Sequence, residues 1–92
     1  MNGIDALRRA VVDWLDDNFH FGDTEALLGG DDEKSFLRNG ILDSLGFVKL
    51  ILFLEDNFRV KINRKDLTRE NFDSLGKIIR YVSVLPGYRE RH

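Results

Sequence analysis

The chain has 92 residues, 42% of them hydrophobic and 33% charged, a balance that supports one modest core and excludes a disordered tail or two independent cores. Its formal net charge of −2 argues against a nucleic-acid binder, and its longest apolar run, Leu50–Leu54, is far short of the roughly 20 residues a membrane span needs. Without cysteine, and with its two histidines at His20 and His92, the chain has no disulfide framework, no thiolate or histidine-rich metal centre and no cysteine nucleophile.

Ile4, Leu7, Val11, Trp14, Leu15 and Phe19 recur at steps of three and four, which predicts a first amphipathic helix over 3–19. Its last turn holds acids and no base, a poor match to the helix dipole, so it is expected to fray there. Residues 20–43 show no period and are punctuated by Gly22, Gly29, Gly30 and Gly40. The expectation is an ordered loop over the core, pinned by Leu27, Leu28, Phe36, Leu37, Ile41 and Leu42, with a helical turn near 33–38. Asp43 is a good N-cap for a second helix over 44–58. An extended piece at 60–62 and a polar turn at 63–66 follow. A short third helix lies at most between Leu67 and Phe72. Asp73 is read as the cap of a fourth helix that carries Leu75, Ile78, Ile79 and Val82 on one stripe and stops at Pro86-Gly87. The fold class is all-α: a four-helix bundle of three main helices and one short one, with a long loop between the first two. It forms a single domain, residues 1–92, with its core over about 4–85 and a frayed tail at 86–92.

The second predicted helix has two apolar faces. Phe47, Leu50, Ile51, Leu54 and Phe58 lie on one side. Leu45, Val48 and Leu52 lie on another, with Lys49 beside them. A surface helix of a small bundle needs one such stripe. The second is covered either by the 20–43 loop or by a docking partner. Charge is also uneven: residues 1–43 carry ten acids and four bases, and residues 44–92 carry six acids and ten bases. Such asymmetry is either random surface composition or a surface that reads a partner's charge.

The tripeptide Asp-Ser-Leu occurs twice, at 43–45 and 73–75. The first follows the long loop and opens the two-faced helix, so it is read as the site. The second opens a helix with one ordinary stripe, so it is read as a cap. The segment 36–47, Phe-Leu-Arg-Asn-Gly-Ile-Leu-Asp-Ser-Leu-Gly-Phe, resembles the attachment segment of the acyl and peptidyl carrier proteins. Leu50–Phe58 resembles their second helix, and 60–62 and 71–75 resemble the following loop and the start of the last helix. The resemblance covers residues 4–85.

The resemblance implies that Ser44 carries a covalent 4′-phosphopantetheine arm, delivered from coenzyme A by a phosphopantetheinyl transferase, with Asp43 in support. The arm would hold an acyl or aminoacyl group as a thioester. The chain would catalyse nothing and bind no metal. Leu45, Val48, Lys49 and Leu52 would meet the transferase, an acyl- or aminoacyl-loading ligase or transferase, and downstream biosynthetic enzymes. The expected protein is a cytoplasmic monomer serving lipid or natural-product biosynthesis. Lys49 stands where fatty-acid-type carriers commonly have glutamate, and Gly46 is more like stand-alone aminoacyl and peptidyl carriers, which points to a specialised pathway. A helical interaction module that never carries a cofactor is the reading of another class, and only the carrier needs the Ser44 hydroxyl. A small enzyme is the poorest reading, because no histidine or cysteine has a suitable partner in the sequence.

Overall fold

A computed structural model of the chain describes residues 3–20 and 22–88. The α-helices are α1 (Gly3–Leu15), α2 (Thr24–Leu28), α3 (Ser44–Phe58), α4 (Arg69–Phe72) and α5 (Leu75–Val82), with a 3₁₀ turn at Arg64–Asp66. There is no strand among the described residues. The architecture is therefore an all-helical bundle. Leu7, Val11 and Leu15 of α1, Leu50, Leu54 and Phe58 of α3, and Leu75, Ile78 and Val82 of α5 meet in one core without solvent exposure. Ile4, the start of the predicted stripe, falls among residues whose side chains lie outside the described set.

Helix α1 does not fray at its acidic end. It widens into a π-helical turn over Asp16–His20. Asp16 Oδ1 accepts the Thr24 N–H at 2.9 Å, which fastens this turn to α2. Trp14 packs on Phe19 and Phe53, with ring centroids 5.5 and 5.7 Å apart, and so joins the turn to α3. At the other end of the chain, α5 stops at Val82, ahead of Pro86, and further turns carry the backbone to Tyr88. Tyr88 stacks on Phe58 at 5.7 Å, so the expected frayed tail is packed at least that far. Residues 89–92 lie outside the described residues.

The segment between α1 and α3 is ordered by its own side chains. Leu28, Phe36, Ile41 and Leu42 are buried as expected, whereas the side chains of Leu27 and Leu37 are exposed. The five-residue α2 was not expected, because one turn is too short to show a period. It ends at Gly29, whose left-handed backbone (φ 61°) lets its N–H reach Glu25 O. Arg8 forks between two acids of this segment, donating to Glu25 at 2.7 and 2.9 Å and to Asp32 at 2.8 and 2.9 Å. Glu33 pairs with Arg80 of α5 at 2.8 Å.

Asp73 supplies the deepest fastening. It was expected to cap the last helix, but it sits at the C-terminal end of α4 and is 4% exposed. Its Oδ2 accepts the Ser35 hydroxyl at 2.6 Å and its Oδ1 accepts the Leu37 N–H at 3.0 Å. Its backbone carbonyl accepts the Phe36 N–H at 2.7 Å, and Arg69 donates to Oδ2 at 3.2 Å. Burial pushes the Asp73 carboxyl up, but the bonds from Ser35, Leu37 and Arg69 outweigh it and hold the group below its ordinary value of 3.8. A carboxyl lowered in the folded state contributes stability that is complete above its unfolded value and is lost as pH falls through the folded one. Asp73→Asn should therefore cost about 1–3 kcal/mol at neutral pH, and the gap from the parent should close below about pH 4. Urea midpoints of both proteins across that range test this. A gap independent of pH would show that geometry, and not charge, holds the junction.

Candidate functional site

Helix α3 begins where the sequence places it. Asp43 is its N-cap, in extended backbone, and its Oδ1 accepts the Gly46 N–H at 2.7 Å while its carbonyl accepts the Phe47 N–H at 2.9 Å. Ser44 is thereby the first helical residue. It is exposed, and none of the described residues hydrogen-bonds its hydroxyl. The free N–H groups of this turn and the positive end of the dipole lie beside it.

The second Asp-Ser-Leu is folded one register later. There the serine is the cap: Ser74 Oγ accepts the Lys77 N–H at 3.1 Å and the residue is 1% exposed. The same three residues thus yield a free, exposed hydroxyl at 44 and a buried, bonded one at 74. The bonds that Asp73 makes with Ser35 and Leu37 take its carboxylate away from the cap position.

Gly46 has a steric role. A Cβ there would lie 2.5 Å from Leu42 Cδ1 and 3.0 Å from its Cγ. The glycine lets the end of the loop close onto the first turn of α3 beside Ser44. Gly46→Ala should lower the urea midpoint, since overpacking a buried leucine costs about 1–3 kcal/mol and the helical preference for alanine returns only about 1 kcal/mol. A raised midpoint would mean that Leu42 gives way freely.

The two faces of α3 separate as the spacing predicts. Leu50, Leu54 and Phe58 are fully buried, whereas Leu45, Val48 and Leu52 are 63%, 57% and 60% exposed. The preceding loop does not cover that second stripe. Lys49 is exposed beside it. Phe47 and Ile51, on the same side as Leu50, Leu54 and Phe58, are half-buried and pack against the core. They form the floor of a groove that starts at Ser44 and runs between α3 and the 61–69 segment. Lys61, Asn63, Arg64, Leu67 and Thr68 form its far wall, and Leu37 lies near its start. The sequence reading missed the parts of Leu37 and Leu67 in this groove. Leu37 was expected to pin the loop and Leu67 only to bound a short third helix, yet they are 38% and 45% exposed. Polar neighbours on both sides of Leu67 were the available signal.

Among the described residues, no helix is long and apolar enough to cross a membrane, and no group of three metal-ligating side chains is assembled.

No protein-family model matches the chain. Curated relatives do. The D-alanyl carrier protein of Streptococcus uberis (strain ATCC BAA-854 / 0140J) is 41% identical over 53 residues, which are 58% of this chain and 67% of that protein. The D-alanyl carrier proteins of Streptococcus pyogenes serotype M5 (strain Manfredo) and serotype M1 are 39% identical over 53 residues, with the same coverage. An all-helical fold, a long helix opened by Asp43-Ser44-Leu45 and this degree of identity agree: the chain belongs to the family of small carrier proteins.

Proposed function

We propose that Ser44 is the attachment point of a 4′-phosphopantetheine arm and that the chain holds an acyl group on it for presentation to partner enzymes. The observation that carries this reading is the contrast between the two serines: Ser44 is exposed with its hydroxyl free, and Ser74 is buried and bonded. The residues around Ser44 suit the group. Backbone N–H groups at the start of a 15-residue helix favour a phosphate, and the groove offers an apolar floor beside the attachment point. When bound, the arm supplies a thiol on which cargo is held as a thioester. On attachment Ser44 Oγ would give up its proton and bond the phosphorus of the arm as the pyrophosphate bond of coenzyme A breaks and adenosine 3′,5′-bisphosphate leaves. Asp43 supports the site: one carboxylate oxygen holds the Gly46 N–H and the other remains open to the transferase or its metal ion.

The exposed stripe of Leu45, Val48 and Leu52, with Lys49 at its edge, is the docking face for the phosphopantetheinyl transferase, the loading ligase or transferase and the downstream enzymes. The chain itself acts as a shuttle and not as a catalyst, and it raises the local concentration of cargo by tethering. Residues 4–85 form the core of this single carrier domain. An aminoacyl cargo is the second reading, favoured by relatives named D-alanyl carrier protein.

The test is intact mass after incubation with coenzyme A, magnesium and a broad-specificity phosphopantetheinyl transferase. One arm per chain is expected, mapped by peptide fragmentation to Ser44. An unmodified chain, or an arm elsewhere, overturns the reading.

A further inference from the structure

Over residues 44–73, the stretch that supplies most of the groove's lining, the charges differ in how they are engaged. Three acids are engaged within the chain, Glu55 and Asp73 while lining the groove. Glu55 accepts the Ile62 N–H at 2.9 Å, Asp66 accepts the Tyr81 hydroxyl at 2.7 Å, and Asp73 is buried among the bonds described above. The bases turn outward. Lys49, Lys61, Arg64 and Lys65 are exposed, and among the described residues none makes a side-chain hydrogen bond or ion pair. Arg59 is also exposed, and Arg69 keeps most of its surface while bonding Asp73. Against them, Asp56 and Glu70 are the exposed acids over residues 44–73. Between these bases lie the exposed apolar groups Val48, Leu52 and Leu67. A chain whose net charge is −2 thus presents a positive rim around an apolar surface.

We propose that this face docks a protein partner whose contact surface is an apolar ridge edged by carboxylates. The inference rests on the carrier reading only for the idea that this face docks at all. The partner's charge comes from acids that are already hydrogen-bonded and bases that are exposed and unengaged. Carboxylates already engaged inside the chain add little to the field outside it, so an approaching partner meets lysine and arginine. Complementary rim charges of this kind steer encounter and select among partners more than they raise affinity. A polyanion that binds by charge alone is disfavoured, because the 1–43 half carries ten acids and four bases.

Two synthetic helical peptides with the same leucine ridge test this, one edged by glutamate and one by lysine. Each is titrated into the full chain, with binding followed by amide chemical shifts at about 50 and 500 mM salt. The glutamate peptide should bind, move the amides of Val48, Leu52, Arg64 and Leu67, and weaken roughly tenfold at high salt, and the lysine peptide should bind at least about tenfold more weakly. Lys61→Glu/Arg64→Glu should invert that preference at an unchanged thermal midpoint. Equal binding of both peptides, binding of neither, shifts elsewhere on the chain, or an unchanged preference in the double variant overturns the inference. So does equal binding of a short duplex DNA at the same amides, which would make the face a general polyanion site. Loading of Ser44, read by mass on the same samples, separates the two readings. Loading without peptide preference removes this inference alone, and preference without loading removes the carrier reading alone.

Discussion

Ser44→Ala should abolish attachment of the arm while leaving stability nearly unchanged, and Ser74→Ala should lower stability while leaving attachment intact. At position 44 alanine replaces an exposed residue whose hydroxyl the described residues do not bond. Asp43 keeps the cap through the Gly46 N–H. Alanine is the best helix former, so stability should stay within about 0.5 kcal/mol of the parent. At position 74 the lost hydroxyl is the cap of α5. The Lys77 N–H then loses its partner in a site that is 1% exposed, at a cost of about 0.5–2 kcal/mol. Intact mass and thermal unfolding of the two variants, measured side by side, read both effects. Loading that persists in Ser44→Ala, or that vanishes in a folded Ser74→Ala, would move the attachment point.

The second large effect falls on the two faces of α3. Leu54 has no exposure and sits in the common core. Truncation to alanine should cost about 2–5 kcal/mol, a large share of the roughly 5–15 kcal/mol that holds a domain together. For a chain of this length that lowers the thermal midpoint by about 10 °C or more. Leu52, two residues away, is 60% exposed, and Leu52→Ala should stay within about 0.5 kcal/mol. Its effect should appear in the rate at which a transferase loads Ser44. Equal destabilisation by both truncations would mean that the outer stripe is buried in solution, and its docking role would be lost.

Much of α3 was legible in advance because its signals are local and agree. Asp43 caps, and the apolar spacing runs from Leu45 to Phe58 and stops there; the left-handed Arg59 (φ 55°) that ends the helix has no such signature. The two faces follow from geometry at 100° per residue, and so does the separation of Leu54 from Leu52. The exposed Ser44 was legible for the same reason.

The register of the second Asp-Ser-Leu was not. Aspartate and serine are comparable caps, so the sequence leaves both possible. The choice is made by Ser35 and Leu37, far away in the chain, which claim the Asp73 carboxylate. The groove was hidden for a related reason. Leu37 and Leu67 are apolar residues in aperiodic stretches, and only the placement of the 61–69 segment across a groove from α3 decides that they line a surface. The π-helical end of α1 depends on Asp16 meeting Thr24, again a contact without a local signature.

The fastening of Phe36 and Leu37 to Asp73, together with the contact of Gly46 and Leu42, bears on how cargo moves. The backbone that leads into Ser44 is anchored to the α4–α5 junction on one side and is continuous with a long helix on the other. On the proposed reading, the root of an arm at Ser44 is a pivot held by both of these elements. Swinging then belongs to the appendage and not to its mount, and the region of space it sweeps stays constant relative to the stripe of Leu45, Val48 and Leu52. An enzyme that grips this stripe thereby sets the distance and bearing of its own active site from the pivot.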